Sequence, residues 1–316
     1  MKRRTFIRNS SLGSVALTIP AIRSFGSNFS AGYELPRRVL GKTGEKLSVI
    51  GFGGIMLNDN PQDFANELVS KAYELGVNYY DVAPTYGNAE EKLGPALKPY
   101  RSNCFLACKT TQREAEGARK ELENSLKNMQ TDHFDLYQLH ALTTEEDVNK
   151  VFAPGGAMET FVKARQEGKI KHIGFSAHSV DAALLAMRNF KFDSVLFPFN
   201  FACWNAGNFG PQVYAEAERQ GMGMLALKAM ALTRLKKGQE KVFKNVWYQP
   251  IQDDELIKMA LKYTLSKNIT AAIPPGKNTL FLKALEFMND FKPITEKETA
   301  QILELAKVTE PLFSHT

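Results

Sequence analysis

Cys104-Phe105-Leu106-Ala107-Cys108-Lys109, the helical pattern Glu114–Met129 and Phe134-Asp135-Leu136-Tyr137-Gln138-Leu139-His140 follow one another within residues 104–140. Each outer run is a short, nearly continuous apolar segment that ends in an ionisable residue. The segment between them carries apolar residues at helical spacing. An apolar run this short, without polar alternation, reads as a strand covered on both faces, and a connecting helix supplies one of the covers. The unit is therefore strand–helix–strand, with the strands parallel.

The same unit repeats in both directions. Strands are expected at Ser48–Phe52, Asn78–Val82, Cys104–Lys109, Phe134–Leu139, His172–Phe175, Ser194–Phe197, Met222–Leu227 and Thr270–Ile273. Helices are expected at Phe64–Leu75, Glu114–Met129, Ala157–Gln166, Val180–Arg188 and Asp254–Leu265, with an extra C-terminal helix at Glu296–Val308. Eight strands alternating with helices over about 250 residues suit a single-domain α/β protein of the (β/α)8 TIM barrel class; a doubly wound sheet is the alternative. Gly51-Phe52-Gly53-Gly54 lacks the third glycine of the dinucleotide fingerprint and does not favour that alternative. Ahead of the first strand, Tyr33–Leu35, Arg38–Leu40 and Gly41-Lys42-Thr43-Gly44 read as an N-terminal β-hairpin. Thr233–Lys244 reads as a basic, solvated loop.

The chain has 316 residues and a formal net charge of +6. Lys2, Arg3, Arg4, Arg8 and Arg23 fall in the first 31 residues, which hold no acid. The remainder is close to neutral, so nothing in the charge points to nucleic acid. Lys2-Arg3-Arg4-Thr5-Phe6-Ile7-Arg8, followed by the moderately apolar Ser11–Ile22, has the form of a secretory signal and resembles the twin-arginine consensus. Residues 1–31 are accordingly expected to be a twin-arginine signal peptide and spacer, and residues 32–316 the barrel. The expected partner is the twin-arginine export machinery, and the expected location is the periplasm, or the membrane if the signal stays uncleaved. Cys104, Cys108 and Cys203 have no metal-ligand spacing, and no metal site is expected.

Chemistry in a barrel of this class gathers where the strands end. Asp81, Lys109 and His140 end the second, third and fourth strands, and Tyr86 follows the first of them in Asp81-Val82-Ala83-Pro84-Thr85-Tyr86-Gly87. Singly, each has an ordinary role: a cap, a snorkelling stem, a packing aromatic, a hydrogen-bonded core histidine. Together they form a proton-transfer set. A tyrosine hydroxyl is a weak acid near neutrality, a lysine ammonium beside it favours the phenolate, and an aspartate holds the lysine charged. A histidine N–H can orient a carbonyl oxygen on which negative charge develops.

This Asp-Tyr-Lys-His arrangement resembles the catalytic tetrad of the aldo-keto reductases. Leu40-Gly41-Lys42-Thr43-Gly44, Ser48–Gly54, Asp81–Gly87, Leu136–His140 and Gly168–Ser176 resemble other segments of that family. The resemblance implies NAD(P)-dependent interconversion of a carbonyl, including a sugar carbonyl, and its alcohol. It implies Tyr86 as general acid/base, Lys109 and Asp81 as its tuning pair, and His140 as the carbonyl-orienting donor. It places the cofactor along Gly53, Gly54, Asp81, Ser176, Leu227, Lys228, Gly276, Lys277 and Asn278. Lys277 at a helix start favours NADP over NAD. Lys228 suits either a pyrophosphate contact or a plain strand-end charge. The family's Ser-Asn pair is Ser176-Ala177 here, and Leu227 stands where an aromatic often stacks on the nicotinamide. His140, Trp204 and Trp247 are candidate substrate contacts. The alternative functions are a nicotinamide-nucleotide-binding protein with little turnover and a non-redox proton-transfer enzyme.

Overall fold

Parallel strands that are apolar on both faces leave two unpaired edges unless the row curls until its ends meet. The computed structural model describes residues 33–289 and 291–316; the expected export signal, residues 1–31, lies outside the described residues. A hairpin of β1 (Arg37–Val39) and β2 (Lys46–Ser48) comes first. Next come β3 (Phe52–Gly53), β4 (Tyr79–Asp81), β5 (Phe105–Thr110), β6 (Phe134–Leu142), β7 (Ile170–Ala177), β8 (Ser194–Phe197) and β9 (Gly223–Ala226). These seven pair in chain order, all parallel. An antiparallel pair, β10 (Ala231–Arg234) and β11 (Tyr248–Pro250), precedes the last barrel strand, β12 (Ala271–Ala272), which pairs with β9. On its other side Ala272 bridges to Ile50, donating to Val49 O at 2.9 Å and accepting from Gly51 N at 3.0 Å. That bridge brings the two ends of the row together, and the architecture is the (β/α)8 barrel.

The outer layer includes helices Gln62–Glu74, Ala115–Asn128, Ala157–Gln166, Val180–Asn189, Pro211–Gln220, Asp254–Leu265 and Asn278–Met288, with Glu296–Val308 as the extra C-terminal helix. Three expectations change. The stretch Ser48–Phe52 is not one strand: Asn78 takes Ser48 N on its Oδ1 at 2.7 Å and donates to Lys46 O at 2.8 Å, drawing Lys46–Ser48 out as the second arm of the hairpin. The hairpin therefore pairs Arg37–Val39 with Lys46–Ser48 and does not use Tyr33–Leu35. The stretch Thr233–Lys244 is not all loop either, because Thr233 and Arg234 belong to β10 and pair with Gln249 and Tyr248.

Side chains alternate along each strand. Tyr79, Phe105, Ala107, Leu136, Leu196, Leu225, Ala271 and Ile273 form one buried core cluster, and Leu40 and Leu47 of the hairpin join it. Each large apolar residue buried there is worth roughly 1.5–3 kcal/mol. Two residues further along the same faces stand Asp81, Lys109 and Gln138, so the alternation that fills the barrel also delivers these polar groups to its mouth. Buried charge at the opposite end has a structural role. Asp135, on the second residue of β6, meets Arg101 at 2.9 Å and Lys171 at 2.6 Å, and accepts Leu106 N at 3.0 Å.

The hairpin turn abuts the barrel at Gly41, whose φ is +51° and where a Cβ would stand 2.3 Å from Gly223 N. Gly44, at φ +81°, has nothing within 4 Å. Replacement by alanine strains both backbones by about 1 kcal/mol, and only Gly41→Ala adds an overpacking cost of about 1–3 kcal/mol. Urea unfolding should place Gly41→Ala below Gly44→Ala in stability by that difference.

Candidate active site

The ends of β4, β5 and β6 set the site. Asp81 is the last residue of β4, level with Ala107 of β5, while Lys109 is level with Gln138 of β6. Strand stagger thus arranges Asp81, Lys109 and His140 as successive steps up one wall. The Lys109 ammonium pairs with Asp81 Oδ1 and donates to Val82 O at 3.2 Å; the two side chains are 1% and 2% exposed. Asp81 Oδ2 accepts from Tyr79 Oη and from Gln138 Nε2, both at 3.3 Å. The carboxylate is therefore satisfied on both oxygens.

Tyr86 reaches the pair from the turn after β4. Tyr86 N donates to Ala83 O at 3.0 Å, and Gly87 follows at φ +61°, where a Cβ would meet Asn58 Oδ1 at 2.0 Å. A side chain there would strain the left-handed backbone and displace the Asn58 amide, so glycine suits that turn. The Tyr86 ring lies 5.5 Å from Lys109 Nζ and edge-on to the His140 ring, centroids 6.0 Å apart. The strand that carries His140 breaks its register between Leu139 and Leu142, with Ala141 at φ +52°. Arg113 holds this bulge, donating to His140 O at 2.9 Å and Ala141 O at 3.2 Å while pairing with Asp147 at 3.1 Å. Ser176 Oγ accepts Ala141 N at 2.8 Å.

Burial pushes the Tyr86 hydroxyl above its usual value; Lys109 pulls it back and Asp81 pushes it further up. The expected lowering by Lys109 is thus present but outweighed by burial, and Tyr86 stays protonated at neutral pH. Burial pulls Lys109 down, yet Asp81 and Tyr86 together hold it above the ordinary lysine value. Burial first and Lys109 second bring His140 down to about 3, so its imidazole is neutral. Burial and Lys228 bring His178 down to about 4.

Asp81 and Tyr86 line a cavity of about 200 Å³ together with Gly53, Leu227, Lys228, Trp247 and Gly276. A second cavity of about 480 Å³, lined by Lys277 and Asn278 among others, shares Asn245 and Gly276 with the first. Gly54 sits behind this surface, against Val82 and Asp81 O. Trp204 lines neither of these two cavities. It packs at 5.4 Å on Tyr214 and 6.3 Å on Phe199, with Lys267 Nζ 4.6 Å above its ring. Reading strand ends alone passed over Gln138, whose buried Oε1 has no partner, as well as Arg113, Asn245 and His178. Gln138 stood within a quoted motif; Arg113 and Asn245 had no pattern to mark them.

A profile of the Aldo/keto reductase family matches residues 49–307. The chain belongs to the aldo/keto reductase family. Family members are oxidoreductases that use NADP(H) or NAD(H). Among curated relatives, the uncharacterized oxidoreductase YqkF of Bacillus subtilis is 31% identical over 45% of this chain and 48% of its own. L-galactose dehydrogenase of Arabidopsis thaliana is 31% identical over 46% and 49%. The chain thus spans about half the length of the curated relatives it matches. The structure of aldo-keto reductase AKR11C1 from Bacillus halodurans, in its holo form, is similar in fold at a TM-score of 0.70 and 21% identity, covering 88% of this chain and 98% of that one.

The residues present suit an extended nicotinamide dinucleotide. The two cavities adjoin. The helix Asn278–Met288 starts without a side-chain cap, leaving its first backbone N–H groups for a phosphate, with Lys277 at that start. Gln138 Oε1 is an unused acceptor among the polar groups at the barrel mouth.

The folded values of about 3 for His140 and about 4 for His178 lie below the free value of 6.5. The unfolded chain therefore binds more protons between these limits, and stability that is full above pH 6.5 is lost as pH falls through the window. A His140→Asn/His178→Asn variant should lose less stability than the parent between about pH 7 and about pH 4.5, as read by urea unfolding.

Proposed function

We propose that the chain is an NAD(P)-dependent carbonyl oxidoreductase in which Tyr86 moves the proton. The observation that carries this reading is the buried Asp81–Lys109 pair set against a neutral, half-buried Tyr86 with a neutral His140 edge-on to it. Lys277 and the start of helix Asn278–Met288 would hold the phosphates of a nicotinamide dinucleotide, which when bound would supply hydride to the carbonyl carbon. Gly53, Leu227 and Gly276 line the cavity that would receive it. Tyr86 gives its proton to the carbonyl oxygen, and the tyrosinate left behind is held by the Lys109 ammonium. Asp81 keeps that ammonium in place. His140, being uncharged, is a hydrogen-bond donor to the carbonyl oxygen rather than its acid. Trp247 offers an apolar face beside the reacting carbon. In the alcohol-to-carbonyl direction the same groups run in reverse.

One observation favours the low-turnover, nucleotide-binding alternative. Ser176 Oγ already accepts a backbone N–H, and Ala177 brings no amide beside it. Lys277 supports NADP over NAD. The dehydrogenase named for L-galactose among the relatives puts sugar carbonyls in the first substrate screen.

Tyr86→Phe removes the transferable proton and no buried charge. Its kcat for carbonyl reduction should fall by about 10³ or more while fluorescence quenching shows NADPH still bound. A variant that keeps its rate contradicts the assignment.

We propose further that residues 1–31 direct export by the twin-arginine route and that the barrel, residues 32–316, acts in the periplasm. The support is Arg3-Arg4 before Phe6-Ile7 and the acid-free start. Replacing Arg3 and Arg4 by lysine should leave the protein in the cytoplasmic fraction of a producing cell whose parent exports it; equal export of both would refute the signal.

A further inference from the structure

The active-site cavity contains a charge that proton transfer does not use. Lys228, two residues past β9, has its Nζ 5.4 Å from the Trp247 ring centroid and 5.0 Å from that of Tyr248. Among the described residues no carboxylate pairs with it, and burial alone brings it down to about 8. Its position is fixed by strained backbone. Lys228 has φ +64°, a conformation most side chains avoid. Its carbonyl accepts from Asn200 Nδ2 at 3.0 Å and from Ala231 N at 2.8 Å. Asn200 is buried, and its Oδ1 takes Ala202 N and Cys203 N. A solvated surface lysine needs no such support.

A second group that the proton transfer does not use is His178, joined to Trp247 through the Phe313 ring. His178 Nε2 is buried without a hydrogen-bond partner. Its ring stacks on Phe313, centroids 5.2 Å apart and planes 6° from parallel, and Phe313 meets Trp247 at 6.1 Å. Trp247, 47% exposed, thus links Lys228 to His178. The Lys228 charge is felt at both His178 and His140. Around this arc stand Lys109, Arg113 and Lys228; Asp81 is occupied by Lys109 and Asp147 by Arg113.

We infer that Lys228 and His178 hold an anionic group, a carboxylate or a phosphate, carried by the carbonyl substrate whose oxygen lies between Tyr86 and His140. This rests on the oxidoreductase reading above. The ammonium supplies a point charge, His178 Nε2 a donor, and Trp247 an apolar wall for the carbon chain between the two ends. The cofactor's pyrophosphate is the other source of the same chemistry. The pair is assigned to the substrate because ring contacts run from Lys228 through Trp247 and Phe313 to His178, and His178 acts electrostatically on His140.

Two probes of equal chain length separate the possibilities: 4-oxobutanoate, which carries a carboxylate, and butanal, which does not. The purified chain should reduce 4-oxobutanoate with NADPH at a kcat/KM about tenfold or more above that for butanal. Lys228→Met and His178→Phe should each bring this ratio toward one, mainly through KM, while Lys228→Arg retains it. NADPH affinity, read by fluorescence quenching, should change by less than about twofold in Lys228→Met. A parent that reduces both probes at equal kcat/KM overturns the inference and leaves the oxidoreductase reading intact. A Lys228→Met variant with an unchanged ratio and about tenfold weaker NADPH binding also overturns it, because the lysine then serves the cofactor. A parent that binds no NADPH and reduces neither probe defeats the oxidoreductase reading itself, and this inference with it.

Discussion

A lysine ammonium at the end of a barrel strand, almost fully out of water, stays charged only with an anion beside it. Lys109 has Asp81, and Asp81 in turn has Tyr79 and Gln138 on its second oxygen. Leaving either charge without the other in such a setting costs about 3–5 kcal/mol, so neither side chain is free to change alone. The pair fixes what surrounds it. Tyr86 is held protonated by burial yet faces a cation that will accept its anion, and His140 is kept neutral by burial and by the same cation.

Barrel geometry makes this arrangement inexpensive to specify. One alternation of side chains along β4, β5 and β6 puts Tyr79, Phe105, Ala107 and Leu136 into the core and Asp81, Lys109 and Gln138 above them. The hairpin closes the far end with Leu40 and Leu47, and Asp135 with Arg101 and Lys171 ties strands together there. Buried charge at one end is architecture and at the other chemistry. What separates them is access: the Asp81 and Tyr86 end borders a cavity, and Asp135 is buried and paired with Arg101 and Lys171.

Much of this was legible in the residues. Continuous apolar runs ending in Asp81, Lys109 and His140 carry both the fold and the proton-transfer set, because strand burial and strand ends are local properties. What was not legible depends on partners distant in sequence. Asn78 pulling Lys46–Ser48 into the hairpin, Thr233 and Arg234 pairing with Tyr248 and Gln249, and Arg113 bracing the bulge at Ala141 leave no periodic trace. Trp204 was a candidate substrate contact, yet it packs on Phe199 and Tyr214 with Lys267 over its ring, partners that strand ends do not mark. The net effect on Tyr86 also escaped a residue-by-residue reading, since it is a balance between burial and Lys109 that only the folded environment sets.

The central claim is that Lys109 acts on the proton of Tyr86. The most direct measurement is the ultraviolet titration of tyrosinate, taken as the difference between the parent and Tyr86→Phe so that one phenol is isolated, and repeated on a Lys109→Met background. Because the ammonium favours the phenolate, its removal should move the Tyr86 titration to higher pH. A Tyr86 titration that stays where it was, or moves down, when Lys109 is removed would contradict the account.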